Sequence, residues 1–270
     1  MKRLINKIKL FPNDNEKSKE IEQELKKRLE IAEFEIVDSR YDLAIAIGGD
    51  GSFLRMVKNN VFDSETYYVG INAGTLGFLQ EISIDDMDIF IERLNNNDFN
   101  IQTIGVQETK ITTHDGNMSR FFSLNEIVIR EKNLKTAKLR IEIDNELLEK
   151  YIGDGVLVST SIGSTAYNLS FGGSIVYDDL HTLQITPIAP LNTKSYRDVL
   201  NSIIIPENRT ITIKPVDETT NLLISVDGEN NFYNNVAEIS TIVRNKKIKC
   251  IRMSNFSYAK KINEKFLTEK

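Results

Sequence analysis

The chain of 270 residues has one cysteine, Cys250, and two histidines, His114 and His181. One cysteine cannot close an internal disulfide, and it removes thiolate zinc sites. Two histidines all but exclude multi-histidine metal chemistry. An excess of positive charge is also missing. Against 34 Lys and Arg stand 39 Asp and Glu, for a formal net charge of −5 and a pI of about 5.3. A protein whose task is to grip nucleic-acid phosphates ordinarily carries the opposite sign. No run approaches the roughly 18 apolar residues of a membrane span. The segment Met1 to Leu10 starts like a secretory leader, but Lys7 and Lys9 break its apolar stretch and no small-residue cleavage site follows. It reads as a first strand in a cytoplasmic protein. There is no G-x-x-x-x-G-K-[ST], no G-x-G-x-x-G between a strand and a helix, and no H-R-D with D-F-G. P-loop proteins, ordinary dinucleotide oxidoreductases and protein kinases are thereby disfavoured.

What is present is an average soluble composition, 40% apolar and 27% charged. The length suits one large domain or two modest ones, able to bury roughly 70–75% of the unfolded surface. Ile21, Leu25 and Leu29 place one apolar stripe on a charged helix starting at Glu16. Leu43 to Ile47 is a short apolar run ended by glycines, the pattern of a buried parallel strand. Phe53, Leu54 and Val57 suggest a helix, Tyr67 to Ile71 a strand, and Ser83 a cap for a helix carrying Met87, Phe90, Ile91 and Leu94. The alternation predicts an α/β N-terminal domain with a mostly parallel sheet, over residues 1–104.

Beyond it the pattern turns to strands: Lys110–His114, Arg120–Arg130, Lys138–Asp144, Val156–Ser159, Ile203–Ile205, Ile211–Lys214, Leu222–Val226, Glu238–Val243 and Ile248–Met253. Turn signals stand at Asp115-Gly116 and Asp144-Asn145. This predicts a β-rich C-terminal domain over 105–250, with Asn95 to Asp98 as a boundary turn. The lysine-rich tail 251–270 either packs back on the first domain or frays. The basic run Arg244, Lys246, Lys247 and Lys249 reads as an exposed strand and turn.

Several segments carry candidate chemistry. Gly48-Gly49-Asp50-Gly51 follows a buried strand and precedes a helical pattern. Glycines allow a sharp turn and close ligand approach, helix-start N–H groups favour phosphate, and ligands of open parallel sheets sit at this strand end. Asp50 is either a carboxylate beside that pocket or a turn aspartate bonding its own backbone. In Asn72 to Leu79, Leu76 and Phe78 form either an apolar wall for a base or ordinary core. Gly153-Asp154-Gly155 and Gly163 to Gly173 concentrate small residues, hydroxyls, Tyr167 and Asn168, suiting a flat base and its sugar or a glycine-rich surface loop. Asn125-Glu126 interrupts an apolar strand and either addresses ribose hydroxyls or lies on an exposed face. Asp227-Gly228-Glu229 is most simply a hairpin turn. His114 and His181 read as solvated, without a role.

Together, Gly48-Gly49-Asp50-Gly51-Ser52-Phe53-Leu54, Asn72 to Leu79, Leu124-Asn125-Glu126, Gly153 to Thr160 and Gly163-Ser164-Thr165-Ala166-Tyr167 resemble the NAD kinase family, from about residue 40 to 230. The first motif is shared with diacylglycerol, sphingosine and phosphofructo-kinase relatives. The third segment is the specific one. The resemblance implies an α/β domain, a β domain and an active site between them, and homo-oligomers, often tetramers. It implies transfer of the γ-phosphoryl of ATP, with Mg²⁺, to the 2′-hydroxyl of the adenosine ribose of NAD. Asp50 matches the catalytic aspartate and Gly51 the adjoining contact. Phe78 matches a residue beside the adenine, Asn125 and Glu126 a pair on adenosine and ribose, and Asp154 one near the nicotinamide end. Thr165, Ala166, Tyr167, Asn168, Leu169 and Ser170 match the loop around the adenine, with Ala189 nearby. No protein metal ligands are implied. Thr160-Ser161-Ile162-Gly163 stands where the family commonly has Thr-Pro-Thr-Gly, and Ile152 where some members carry a basic residue. A lipid kinase and a non-enzymatic NAD(P)-binding sensor are the rival readings. Neither nucleic acid nor membrane is expected as a partner.

Overall fold

The computed structural model describes residues 3–74, 77–133, 135–192, 197–217 and 220–268. The chain forms two compact units. One runs up to Ile104 and resumes from Lys247 onward; the other spans Gly105–Lys246. In chain order the elements are β1 (Lys7–Pro12), α1 (Glu16–Ile31), β2 (Glu35–Ile36), β3 (Leu43–Gly48), α2 (Asp50–Asn59), β4 (Tyr67–Asn72), α3 (Met87–Asn96), β5 (Asn100–Thr113), β6 (Met118–Ser123), β7 (Glu126–Glu131), β8 (Ala137–Ile143), β9 (Glu146–Gly153) and β10 (Gly155–Thr160). There follow α4 (Tyr167–Ser170), β11 (Thr182–Ile188), β12 (Ile203–Pro206), β13 (Ile211–Pro215), β14 (Leu222–Val226), β15 (Glu229–Tyr233), β16 (Val236–Arg252) and α5 (Tyr258–Phe266).

The first unit holds a parallel sheet in the order β2-β1-β3-β4, to which the end of β16 adds through Lys249↔Tyr67 and Cys250↔Tyr68. Every residue of β3 is buried, as expected of a parallel strand covered on both faces. α1 buries Ile21, Leu25 and Leu29, and Asn15 caps it by accepting from the Ser18 N–H. Ser83 caps as expected, but a 3₁₀ turn over Ile84–Asp86 comes first and leads into α3. α3 buries Met87, Phe90, Ile91 and Leu94 and ends at Asn97, whose φ of 53° is left-handed.

The second unit is antiparallel. One sheet has the order β12-β11-β10-β7-β14-β15, and β13, β8 and β9 continue from β16 in another. Ile127, Ile129, Val158 and Ile224 from the first sheet pack with Leu139, Ile141, Ile211 and Ile239 from the other in one apolar core. The α/β class with a parallel sheet and the β-rich class expected from the pattern are both present.

Three expectations need correction. Arg120 to Arg130 is not one strand, because the chain leaves β6 at Ser123 and re-enters a different sheet as β7 at Glu126. The Asp227 carboxylate accepts the N–H groups of Leu124, Asn125 and Glu126, replacing ladder bonds at the break. The strands expected at 238–243 and 248–253 are one 17-residue strand, β16. The basic run therefore contains no turn; it lacks Gly and Pro, and Lys246 and Lys249 lie over the rings of Phe122 and Tyr67. Four strands, β2, β9, β11 and β15, lie outside those the pattern predicts. The tail 251–270 carries a regular helix, α5, capped by Ser257.

Candidate active site

In the first unit β3 delivers the chain into the glycine turn. Gly48 has φ +153°, and a Cβ there would lie 2.4 Å from Ser52 Oγ. Only glycine lets the strand turn this close to the helix it feeds. Gly49 is the extended N-cap of α2 and supplies no side-chain cap, while Gly49 and Gly51 are exposed with open space at their Cβ positions. The Ser52 N–H already donates to the Gly49 carbonyl at 2.9 Å, which leaves the Asp50 and Gly51 N–H groups for an anion.

Asp50 opens α2. Its Oδ2 accepts the Phe78 N–H and its Oδ1 the Leu79 N–H, both at 2.9 Å. The carboxylate is thus held by a segment far along the chain rather than by its own turn. Gly77 makes room for it, since a Cβ at that position would lie 2.2 Å from Asp50 Oδ1. Phe78 is half-buried, its ring 5.8 Å from that of Tyr258 and 5.5 Å from that of Phe266. It packs as core on the side facing α5. Thr75 and Leu76 lie outside the described residues.

In the second unit the break between β6 and β7 carries Asn125 and Glu126, both buried. Thr160 donates its N–H to the Asn125 carbonyl at 2.9 Å and accepts the Gly163 N–H at its own hydroxyl at 3.1 Å. A Cβ at Gly163 would lie 2.1 Å from the Asn125 carbonyl oxygen. This approach joins the two motifs without Pro in the Thr160–Gly163 turn. The Glu126 carboxyl accepts the Tyr167 N–H, and its Oε2 has no partner among the described residues. Burial first, and then the charge of Asp227, push the Glu126 carboxyl up to about 8. A protonated Glu126 at neutral pH offers a donor as well as an acceptor.

The 163–173 segment is a short 3₁₀ turn over Ile162–Thr165 followed by α4. Asn168 is fully buried and holds it together: Nδ2 donates to the Ser164 carbonyl at 3.1 Å, and Oδ1 accepts from Thr186 Oγ1 at 2.6 Å. Tyr167 is exposed, with its ring edge-on to Phe171 at 4.7 Å. Thr165, Ala166 and Leu169 are half-buried and Ser170 is exposed. The expected adenine-loop residues thus adjoin Asn125 and Glu126.

Asp154 and Ala189 stand apart from this group. In the β7–β10 ladder Ser159 pairs with Glu126, whereas Gly155, next to Asp154, pairs with Arg130. Five residue steps at about 3.3 Å put roughly 16 Å between the two groups. Asp154 is exposed, 3.8 Å from Arg130 Nη2. Ala189 is exposed with φ 48°. Arg130, which the motifs did not single out, sets a guanidinium beside Asp154. His181 is exposed and 3.4 Å from Glu207 Oε1, and His114 is exposed. Asp227 does close the expected hairpin, with φ 44° there and 84° at Gly228. Its carboxylate on Leu124, Asn125 and Glu126 could not be read from the Asp-Gly signal.

Two family models match the chain. The ATP-NAD kinase N-terminal domain matches residues 4–99 and the ATP-NAD kinase C-terminal domain residues 124–253. The NAD kinase of Finegoldia magna is 37% identical over 96% of this chain and 97% of its own length. The chain belongs to the NAD kinase family. Its activity is accordingly that of an NAD kinase. The NAD kinase of Streptococcus gordonii is 32% identical, over 100% of this chain and 98% of its own. Among solved structures a yeast NADH kinase complexed with NADH shares the NAD kinase fold at TM-score 0.84, with 24% identity over 98% of this chain and 89% of that one. An NAD kinase from Archaeoglobus fulgidus in complex with ATP shares it at TM-score 0.73, with 19% identity over 96% and 98%.

Proposed function

We propose that this NAD kinase moves the γ-phosphoryl of ATP to the 2′-hydroxyl of the adenosine ribose of NAD, giving NADP and ADP, with Asp50 as the reacting carboxylate. The bond from the γ-phosphorus to the bridging oxygen of the β-phosphate breaks. A bond from the ribose 2′-oxygen to that phosphorus forms, and the hydroxyl proton passes to Asp50. Phosphoryl transfer depends more on in-line placement and charge neutralisation than on strong base chemistry. A carboxylate is a weak base for a sugar hydroxyl, so Asp50 orients the hydroxyl and takes its proton late. The observation that carries this reading is the seating of Asp50 on the Phe78 and Leu79 N–H groups at the mouth of an open helix N-terminus.

Asn125, Glu126 and Thr165 to Ser170 are assigned to the adenosine part of NAD, Phe78 to the adenine, and Gly51 to the backbone contact beside Asp50. Asp154 and Ala189 are assigned to its nicotinamide end. Among the described residues no three His, Cys, Asp or Glu cluster as metal ligands. Mg²⁺ is assigned to the ATP substrate by resemblance, and bound there it would neutralise charge on the donor phosphates.

The same proposal makes the enzyme a cytoplasmic homo-oligomer, a tetramer by resemblance. The separation of Asp154 from Glu126 along β10 supports a site completed by a second copy. No helix among the described residues is long and apolar enough to cross a membrane.

Purified protein given ATP–Mg²⁺ and NAD forms NADP in a coupled assay, and Asp50→Asn loses at least about 10²-fold in kcat. Phosphorylation of diacylglycerol instead, or near wild-type NADP formation by Asp50→Asn, overturns the reading.

A further inference from the structure

Lys261, in the middle of α5, belongs to the lysine-rich tail whose sequence leaves packing or fraying open. The structure buries it. Lys261 and Arg252 are the buried cations among the described residues. An ammonium withdrawn from water needs replacement partners, and those of Lys261 are specific. Its Nζ donates to the Gln80 carbonyl at 2.6 Å, to the Phe78 carbonyl at 3.2 Å and to Glu81 Oε2 at 3.4 Å. Phe256 presents its ring 5.0 Å away. Glu81 is itself deeply buried and also accepts from Arg252 Nη1 at 3.2 Å and from the Met253 N–H at 2.9 Å.

These contacts meet Asp50 through one peptide unit. The carbonyl of Phe78 accepts from Lys261, and the N–H of the same amide plane, that of Leu79, donates to Asp50 Oδ1. The amide is planar, so the two bonds cannot be set independently. Rotating the plane to lose one partner misaligns the other. The short 77–81 segment is therefore gripped by its carbonyls from α5 and grips Asp50 with its N–H groups.

We propose that Lys261 is a positioning residue for the transfer step, fixing the Phe78–Leu79 peptide and with it the seat of the Asp50 carboxylate. This rests on Asp50 being the reacting group. The charged groups facing Lys261 are Glu81, Arg252 and Asp50; on its own helix Lys260 and Glu264 pair with each other at 3.6 Å. Burial, then the charge of Arg252, push the Lys261 ammonium down to about 8. Loss of that proton weakens its hold on the two carbonyls, because charge-assisted bonds are the stronger kind.

The test compares the full-length wild type, Lys261→Met and Lys261→Arg in NADP formation from pH 6 to pH 10, with kcat and KM determined for NAD and ATP–Mg²⁺. Lys261→Met loses about tenfold or more in kcat with KM for ATP little changed. Lys261→Arg restores most of kcat and moves the alkaline fall of kcat up by about one pH unit or more, because guanidinium stays charged. Wild-type kcat in Lys261→Met overturns the inference. If that variant does not fold, an unmoved alkaline limb in Lys261→Arg overturns it instead. Asp50→Asn is run alongside: an active Asp50→Asn sinks the functional reading, whereas an inactive one beside a fully active Lys261→Met sinks this inference alone.

Discussion

Gly77→Ala adds a single methyl group, and the structure shows where it lands. A Cβ at position 77 lies 2.2 Å from Asp50 Oδ1, 2.7 Å from Cγ and 3.0 Å from Oδ2. To reach ordinary van der Waals contact the carboxylate must retreat by about 1 Å. The bonds to the Phe78 and Leu79 N–H groups, both 2.9 Å, cannot both stretch that far. The clashing atoms are the end of a side chain, so the carboxylate moves rather than the backbone. The folded state then loses part of two charge-assisted hydrogen bonds, about 1–3 kcal/mol. Catalysis loses more, because a reacting group displaced by about 1 Å costs on the order of 10²-fold in rate. Steady-state NADP formation is the assay, with thermal melting alongside. The expected result is kcat down about hundredfold, KM for ATP within about threefold, and a melting temperature lower by only a few degrees. In an Asp50→Asn background Gly77→Ala lowers the rate no further, because both changes act on one carboxylate. Wild-type kcat in Gly77→Ala, or full additivity of the two changes, refutes the reasoning.

Gly163→Ala behaves differently, because its Cβ would meet the backbone of Asn125, 2.1 Å from the carbonyl oxygen and 2.5 Å from the carbonyl carbon. With no side chain able to yield, the expected cost is about 3 kcal/mol or more in urea unfolding, with KM for NAD raised. The Glu126 carboxyl, pushed up to about 8 by burial and by Asp227, makes stability depend on pH. Between the ordinary carboxylate range and pH 8 the folded chain keeps a proton that the unfolded chain has released, so stability falls as pH rises through that window. Glu126→Gln removes this slope. Urea midpoints of the two proteins at about pH 6 and pH 9 check it, and parallel slopes would show that Glu126 does not titrate there.

The glycine turn after β3, the Asp-Gly hairpin at 227 and the stripe of α1 are legible in the residues because each is written over a few adjacent positions. A strand leaving buried apolar residues for Gly48-Gly49-Asp50-Gly51 has few ways to fold locally, and that setting makes Asp50 a candidate without deciding between a pocket carboxylate and a turn aspartate. The strands β9 and β15 are another matter. Glu146 to Gly153 and Glu229 to Tyr233 sit at sheet edges, where only one neighbour and little burial shape the residues. Alternation there is too weak to see.

By itself the sequence determined which backbone stretches turn sharply, which faces are apolar and which residue types crowd the motifs, since those depend on near neighbours. Only the tertiary structure decided that Asp227 caps the break at Leu124–Glu126, that Asp154 stands a strand's length from Glu126, and that a lysine of the tail reaches the peptide on which Asp50 is seated. Each of these joins residues distant in the chain or sorts neighbours to opposite ends of a strand. Such relations arise from how the sheets and helices pack, and no local pattern of residues encodes them.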